Sequence, residues 1–158
     1  MPHHYEEILR GETFLRLEPD ERHEQICLRL HEQVSQSILS LGTTHLLPPR
    51  SIVQVESGTM IRPDLALVTA ATGKLWLAAE IVSSQDHRLD TVTKKQIYEE
   101  LNLPRLWMID PRYDNVEVYH ATAYGLVLKE ILAVREVLTE KSLPEFQIVI
   151  ADLFAAAQ

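Results

Sequence analysis

Three consecutive segments constrain the fold more than any others. Residues 75–83 form an apolar run of strand length. Residues 87–101 carry Leu89, Val92, Ile97 and Leu101 as an apolar helical stripe, and Asn102-Leu103-Pro104 ends it. Residues 106–109 are a second short apolar run, closed by the turn Asp110-Pro111. A strand, a helix and a strand in this order predict a βαβ unit with parallel strands and a right-handed crossover.

The flanking segments predict the rest of an α/β domain. Pro19-Asp20-Glu21 opens a long amphipathic helix, with Pro suited to a first turn and acidic residues to a helix N-terminus. Its apolar face is Ile26, Leu30, Val34, Ile38 and Leu41, and Gly42 supplies a stop. The segment 5–17 is mixed, with a turn at Arg10-Gly11-Glu12 and a short strand at 13–17. Further strands are expected at 51–56, 62–69, 116–120, 126–131, 135–138 and 146–150, with a closing helix at 151–157. The reading is a mixed sheet with flanking helices, the first packed on one face. At 158 residues, one domain over 1–158 is expected.

Composition narrows the setting. Cys27 is the single cysteine and sits among Ile26, Leu28 and Leu30, so it reads as a small apolar filler in a reducing, cytoplasmic interior. No signal peptide is visible, and no apolar run reaches the ~20 residues of a membrane span. The formal charge of −8 argues against tight nonspecific nucleic-acid binding. Residues 37–112 nevertheless hold as many cations as carboxylates, so the acidity lies at the two ends of the sequence.

Asp64 and Glu80 form the sharpest local pattern. Ala71-Thr72-Gly73 suits a three-residue hairpin loop with Gly in the left-handed conformation. That loop pairs Ala70 with Lys74, Val68 with Trp76, Ala66 with Ala78 and Asp64 with Glu80, all on one face. Opposed carboxylates sit roughly 5 Å apart at Cβ and repel. With apolar neighbours on both strands, they call for a cation or a shared proton. A hard ion such as Mg²⁺ suits two such groups; two solvated strand ends would fit the spacing equally. In the following helix, Asp90, Lys94 and Tyr98 are spaced i, i+4, i+8 on one stripe that leans toward Glu80. Lys94 is placed to stabilise charge on a scissile phosphate or to form a plain surface pair with Asp90.

These residues resemble the Uma2 family, also called DUF820. The resemblance rests on Arg62-Pro63-Asp64-Leu65-Ala66-Leu67-Val68 and Ala79-Glu80-Ile81-Val82-Ser83. It extends to Asp90 with Lys94 and Tyr98, and to Leu106-Trp107-Met108-Ile109-Asp110-Pro111. Gly11-Glu12, Arg22-His23 and Leu143-Pro144 also fit. The resemblance implies a restriction endonuclease-like α/β fold of the PD-(D/E)xK superfamily and metal-dependent phosphodiester cleavage. It makes Asp64 and Glu80 ligands of Mg²⁺ or Mn²⁺. Val82 stands where the superfamily places a Lys, and the helix residue Lys94 is the migrated replacement, with Lys95 the weaker candidate. Glu12, His23, Asp90 and Tyr98 are secondary site candidates. Trp76 and Trp107 read as core.

Three functions compete on this basis. The first is a Mg²⁺-dependent nuclease acting on DNA. The second is a catalytically inert relative serving as a nucleic-acid-binding or protein-interaction module, as a homodimer in one version. The third is a hydrolase of a smaller phosphate ester. Val82 favours the second, and the joint presence of Asp64, Glu80 and Lys94 favours the first.

Overall fold

In the computed structural model, which describes residues 4–155, the sheet grows outward from the hairpin of β6 (Leu65–Thr69) and β7 (Leu75–Ile81). Leu65 pairs with Ala79, Ala66 with Ala78 and Leu67 with Leu77, the register expected at the carboxylate end. Nearer the turn it shifts: Val68 pairs with Leu75, leaving Trp76 as a bulge. The loop is 70–73, closed by the Thr69 N–H donating to Lys74 O, with Gly73 at φ +71°. The Ala70–Lys74 and Val68–Trp76 pairs are therefore corrected. One extra residue flips side-chain parity, so Leu75 joins the apolar cluster on one face while Trp76 packs on the other.

After β7, a π-helical turn over Leu89–Lys94 runs into α2 (Lys95–Glu100), and the chain returns as β8 (Arg105–Asp110), parallel to β7. The expected βαβ unit is present. Next, β9 (Asn115–Thr122) and β10 (Gly125–Ala133) extend the sheet antiparallel on one side, and β3 (Thr44–Leu46) closes the other. The six-stranded order is β10-β9-β8-β7-β6-β3. Gly125 is required at the β9–β10 turn: at φ +107°, a Cβ there would lie 2.7 Å from the Glu99 carboxylate.

A second, antiparallel sheet holds β1 (Tyr5–Leu9), β2 (Glu12–Arg16), β4 (Val53–Glu56) and β5 (Thr59–Ile61), in the order β2-β1-β5-β4. The mixed segment at 5–17 is thus a full hairpin. The expected strand at 62–69 starts late, at Leu65, because Pro63 cannot donate to a ladder. β5 ends at Ile61 and β6 starts at Leu65.

Alternation then builds two cores. Leu65, Leu67, Leu77, Ala79, Ile81, Trp107 and Ile109 pack against Ile26, Leu30 and Val34 of α1 (Glu21–Ser37). This face also takes β11 (Val137–Glu140), β12 (Leu143–Val149) and α3 (Ile150–Leu153). Ala66, Ala78, Leu106 and Met108 face the other way, onto Ile97 and Tyr98 of α2 and onto Leu9 and Ile61 of the small sheet. Burying each such Leu or Ile is worth roughly 1.5–3 kcal/mol. α1 begins where expected, with the Asp20 carboxylate accepting from the His23 N–H at 2.8 Å. The closing helix is one turn, and residues 156–157 of its expected range lie outside the described residues. Among the described residues, no helix is long and apolar enough to cross a membrane.

Candidate functional site

Glu80 lies in β7 on the face covered by α2 and the small sheet. Its side chain is buried, and the Lys94 ammonium donates to its Oε1 at 2.8 Å. Tyr98 donates its hydroxyl to Oε2. The i, i+4, i+8 stripe is therefore turned inward, with Asp90, Lys94 and Tyr98 all buried. The wider π-helical turn carries Asp90 and Lys94, the kind of local widening that recurs at functional sites. Lys95 leaves on another side, with its ammonium 4.5 Å from the Tyr119 ring centroid.

Lys94 has a second carboxylate, which the sequence reading missed. Glu7 of β1 is fully buried and accepts from Lys94 Nζ at 2.8 Å and from the Arg62 N–H at 2.7 Å. Its other oxygen accepts from Arg16 of β2. Arg16 also reaches Asp90 at 2.9 Å and Asp86 at 2.8 Å, and Asp90 accepts from the Ser83 N–H at 3.0 Å. The small sheet thus supplies half of the charged cluster around Glu80.

Two carboxylates share one ammonium here, and their environments drive them apart. Burial pushes Glu80 up to about 8 despite Lys94, with repulsion from Glu7, Asp64 and Asp90 adding to the rise. Burial also opposes ionisation of Glu7, but Lys94, the Arg62 N–H and Arg16 outweigh it and lower its pKa. Burial alone would depress Lys94, yet Glu7, Glu80 and Asp90 raise it, so the ammonium stays charged.

Asp64 immediately precedes β6 and has different partners. Its Oδ2 accepts from the Ile81 N–H at 2.8 Å. Its Oδ1 faces Arg50 Nη1 at 3.2 Å and His23 Nε2 at 3.4 Å. Burial would raise its pKa, but His23, the Ile81 N–H and Lys94 hold it at about 2. Cys27 is the expected filler, its thiol donating to the Asp64 carbonyl at 3.6 Å while burial, chiefly, pushes it up to about 12.

The structure therefore gathers Asp64, Glu80, Lys94, Asp90, Tyr98 and His23, and corrects Glu12. That residue is exposed at the turn end of the β1–β2 hairpin, paired with Leu9. The buried glutamate of this hairpin is Glu7, in mid-strand where the small sheet meets the large one. Pairing across Arg10-Gly11 places Tyr5 opposite Arg16 and Glu7 opposite Phe14, so Glu7 and Arg16 share a face. That alternation was the available signal. Arg50 carried none, lying in the loop after Pro48-Pro49. Val82 is buried in the apolar cluster, and its N–H pairs with Ile109 O. The ammonium that meets Glu80 comes from the helix instead.

Metal chemistry fits the donors in kind. Asp64 and Glu80 carry hard oxygens; among the described residues Asp64 Oδ1 meets only Arg50 and His23, while the two Glu80 oxygens accept from Lys94 and Tyr98. Among the described residues, no three His, Cys, Asp or Glu are grouped as a ready metal site. An ion here would take two carboxylates and complete its shell with water, as Mg²⁺ commonly does. A cavity of about 220 Å³ lies beside the site at the C-terminal ends of parallel β7 and β8, lined by Tyr5, Arg16, His23, Val82, Ser83 and Arg112 and by neither Asp64 nor Glu80.

The protein is a mixed-sheet α/β protein with acidic groups at the ends of adjoining strands and a helix-borne lysine paired with one of them, Glu80. Its fold matches a solved structure from Anabaena variabilis, described as "a putative nuclease belonging to DUF820", with a TM-score of 0.78 at 15% identity. The match covers 95% of this chain and 89% of that one. The sequence profile of Uma2, described as "Putative restriction endonuclease", matches residues 2–151, and the chain belongs to the Uma2 family. No curated protein matches the chain.

Proposed function

We propose that the protein is a divalent-metal-dependent endonuclease that hydrolyses DNA phosphodiester bonds. Asp64 and Glu80 hold Mg²⁺ or Mn²⁺, and Lys94 assists. The observation that carries this reading is the 2.8 Å contact between Lys94 and Glu80 beside an ionised Asp64. When bound, the metal supplies Lewis acidity toward a phosphoryl oxygen and toward water. Ile81 and His23 fix the Asp64 carboxylate, and Tyr98 fixes the orientation of Glu80. Glu7 keeps Lys94 charged and aimed at Glu80, so that its positive field, without direct contact, opposes negative charge building on the phosphate. Asp90 and Asp86 hold Arg16 against Glu7.

The test is cleavage of single-stranded, duplex and branched DNA with Mg²⁺ or Mn²⁺. Asp64→Asn and Glu80→Gln should each lower the rate at least about 100-fold, since metal electrostatics contribute several kcal/mol. A metal-replete wild type that cuts none of these DNAs would sink the reading. A second reading, an inert nuclease-fold module, is favoured by one observation: both Lys94 and Arg16 are buried and already paired with carboxylates. Binding of DNA without cleavage, unchanged by Asp64→Asn, would support it.

A further inference from the structure

The cations around the two carboxylates differ in what they can reach. Lys94 is enclosed between Glu7 and Glu80, and Arg16 among Glu7, Asp86 and Asp90, with side-chain exposures of 1% and 4%. Neither can meet a phosphate without leaving buried carboxylates unpaired. Arg50 is different. Its side chain is 19% exposed, and its Nη1 lies against Asp64. Its Nη2 is 2.8 Å from Glu24, whose own side chain is 48% exposed. Water competes well for such an exposed partner, so the Glu24 bond is readily exchanged. A guanidinium presents five N–H donors in a planar fork, which suits phosphate oxygens.

The backbone at Arg50 is pinned, while one arm of its side chain is held only by the exposed Glu24 among the described residues. Its N–H donates to Pro63 O at 3.0 Å, and its carbonyl accepts from Arg62 Nη1 at 3.1 Å. The residue sits at φ +57°, where glycine is the less strained choice. The loop thus holds a partly exposed guanidinium one bond from Asp64 in a backbone conformation that disfavours any side chain.

Resting on the nuclease reading above, we infer that Arg50 is the phosphate-contacting cation of the site. It exchanges Glu24 for a phosphodiester oxygen while staying on Asp64. This assigns a residue that touches substrate, in a loop outside every motif of the sequence.

The test is binding, read apart from cleavage. Fluorescence anisotropy with labelled single-stranded and duplex oligonucleotides, in Ca²⁺ across a salt series, compares wild type with Arg50→Gly, Arg50→Lys and Glu24→Gln. Glycine suits φ +57°, so Arg50→Gly should stay folded with a little-changed melting temperature. Its slope of log K against log salt should fall by about 1, weakening binding roughly tenfold at 0.1 M salt and equally across sequences. Arg50→Lys should recover part of the loss, and Glu24→Gln should tighten binding by removing a competitor. Wild-type affinity and slope in Arg50→Gly would overturn the proposal, as would a wild type with no salt-dependent binding to either DNA. Binding that depends on Arg50, without any cleavage, would leave Arg50 assigned and overturn the nuclease reading alone.

Discussion

Asp64 is held by a backbone N–H, a histidine and an arginine that reaches solvent, whereas Glu80 is held by a lysine and a tyrosine sealed under the small sheet. The first carboxylate stays ionised because His23, the Ile81 N–H and Lys94 outweigh its burial. The second is raised to about 8, because burial and three other carboxylates oppose its charge. Two acidic groups that read alike in sequence are thus set apart by their surroundings, which is how one site assigns different roles to similar side chains. The Glu80 half is thus a closed charge network, whereas the Asp64 half, its carboxylate equally buried, reaches solvent through Arg50 and is the open side of the cluster.

That contrast can be broken from the closed side with the largest effect. Lys94→Met should leave Glu7 and Glu80 buried without their shared cation and destabilise the fold by about 3–5 kcal/mol in urea denaturation. A loss under ~1 kcal/mol would mean that the network is not closed. On the open side, Asp20→Ala removes the cap of the helix that carries His23, and about 1 kcal/mol is expected in the same assay. Smallest is Glu24→Ala, whose exposed pair with Arg50 should contribute less than ~0.5 kcal/mol. A loss comparable to that of Lys94→Met would erase the distinction between the halves.

The parts of the site legible in the sequence are those set by short-range periodicity. A period of two in the β6–β7 hairpin put Ala66 opposite Ala78, and a period near four put Asp90, Lys94 and Tyr98 on one stripe. The bulge at Trp76 was not legible, because a one-residue shift near a turn leaves the apolar pattern almost intact. Glu7, Arg16 and Arg50 reach the carboxylates from other parts of the fold. Glu7 and Arg16 join only once the small sheet docks on α2, and Arg50 only through a loop whose course no periodicity sets. Glu12 is a candidate only through the resemblance, and the turn end of that hairpin faces solvent. The Uma2 resemblance did not supply Glu7, Arg16 or Arg50; it named Asp64, Glu80 and Lys94, which hairpin pairing and helix spacing already place together.

The two halves share a function only if one ion joins them. Isothermal titration calorimetry with Mn²⁺ on the wild type, Asp64→Asn and Glu80→Gln tests this most directly. One ion per wild-type chain is expected, with binding abolished by either substitution while the fold persists. Binding of Mn²⁺ unchanged in both variants would contradict that expectation.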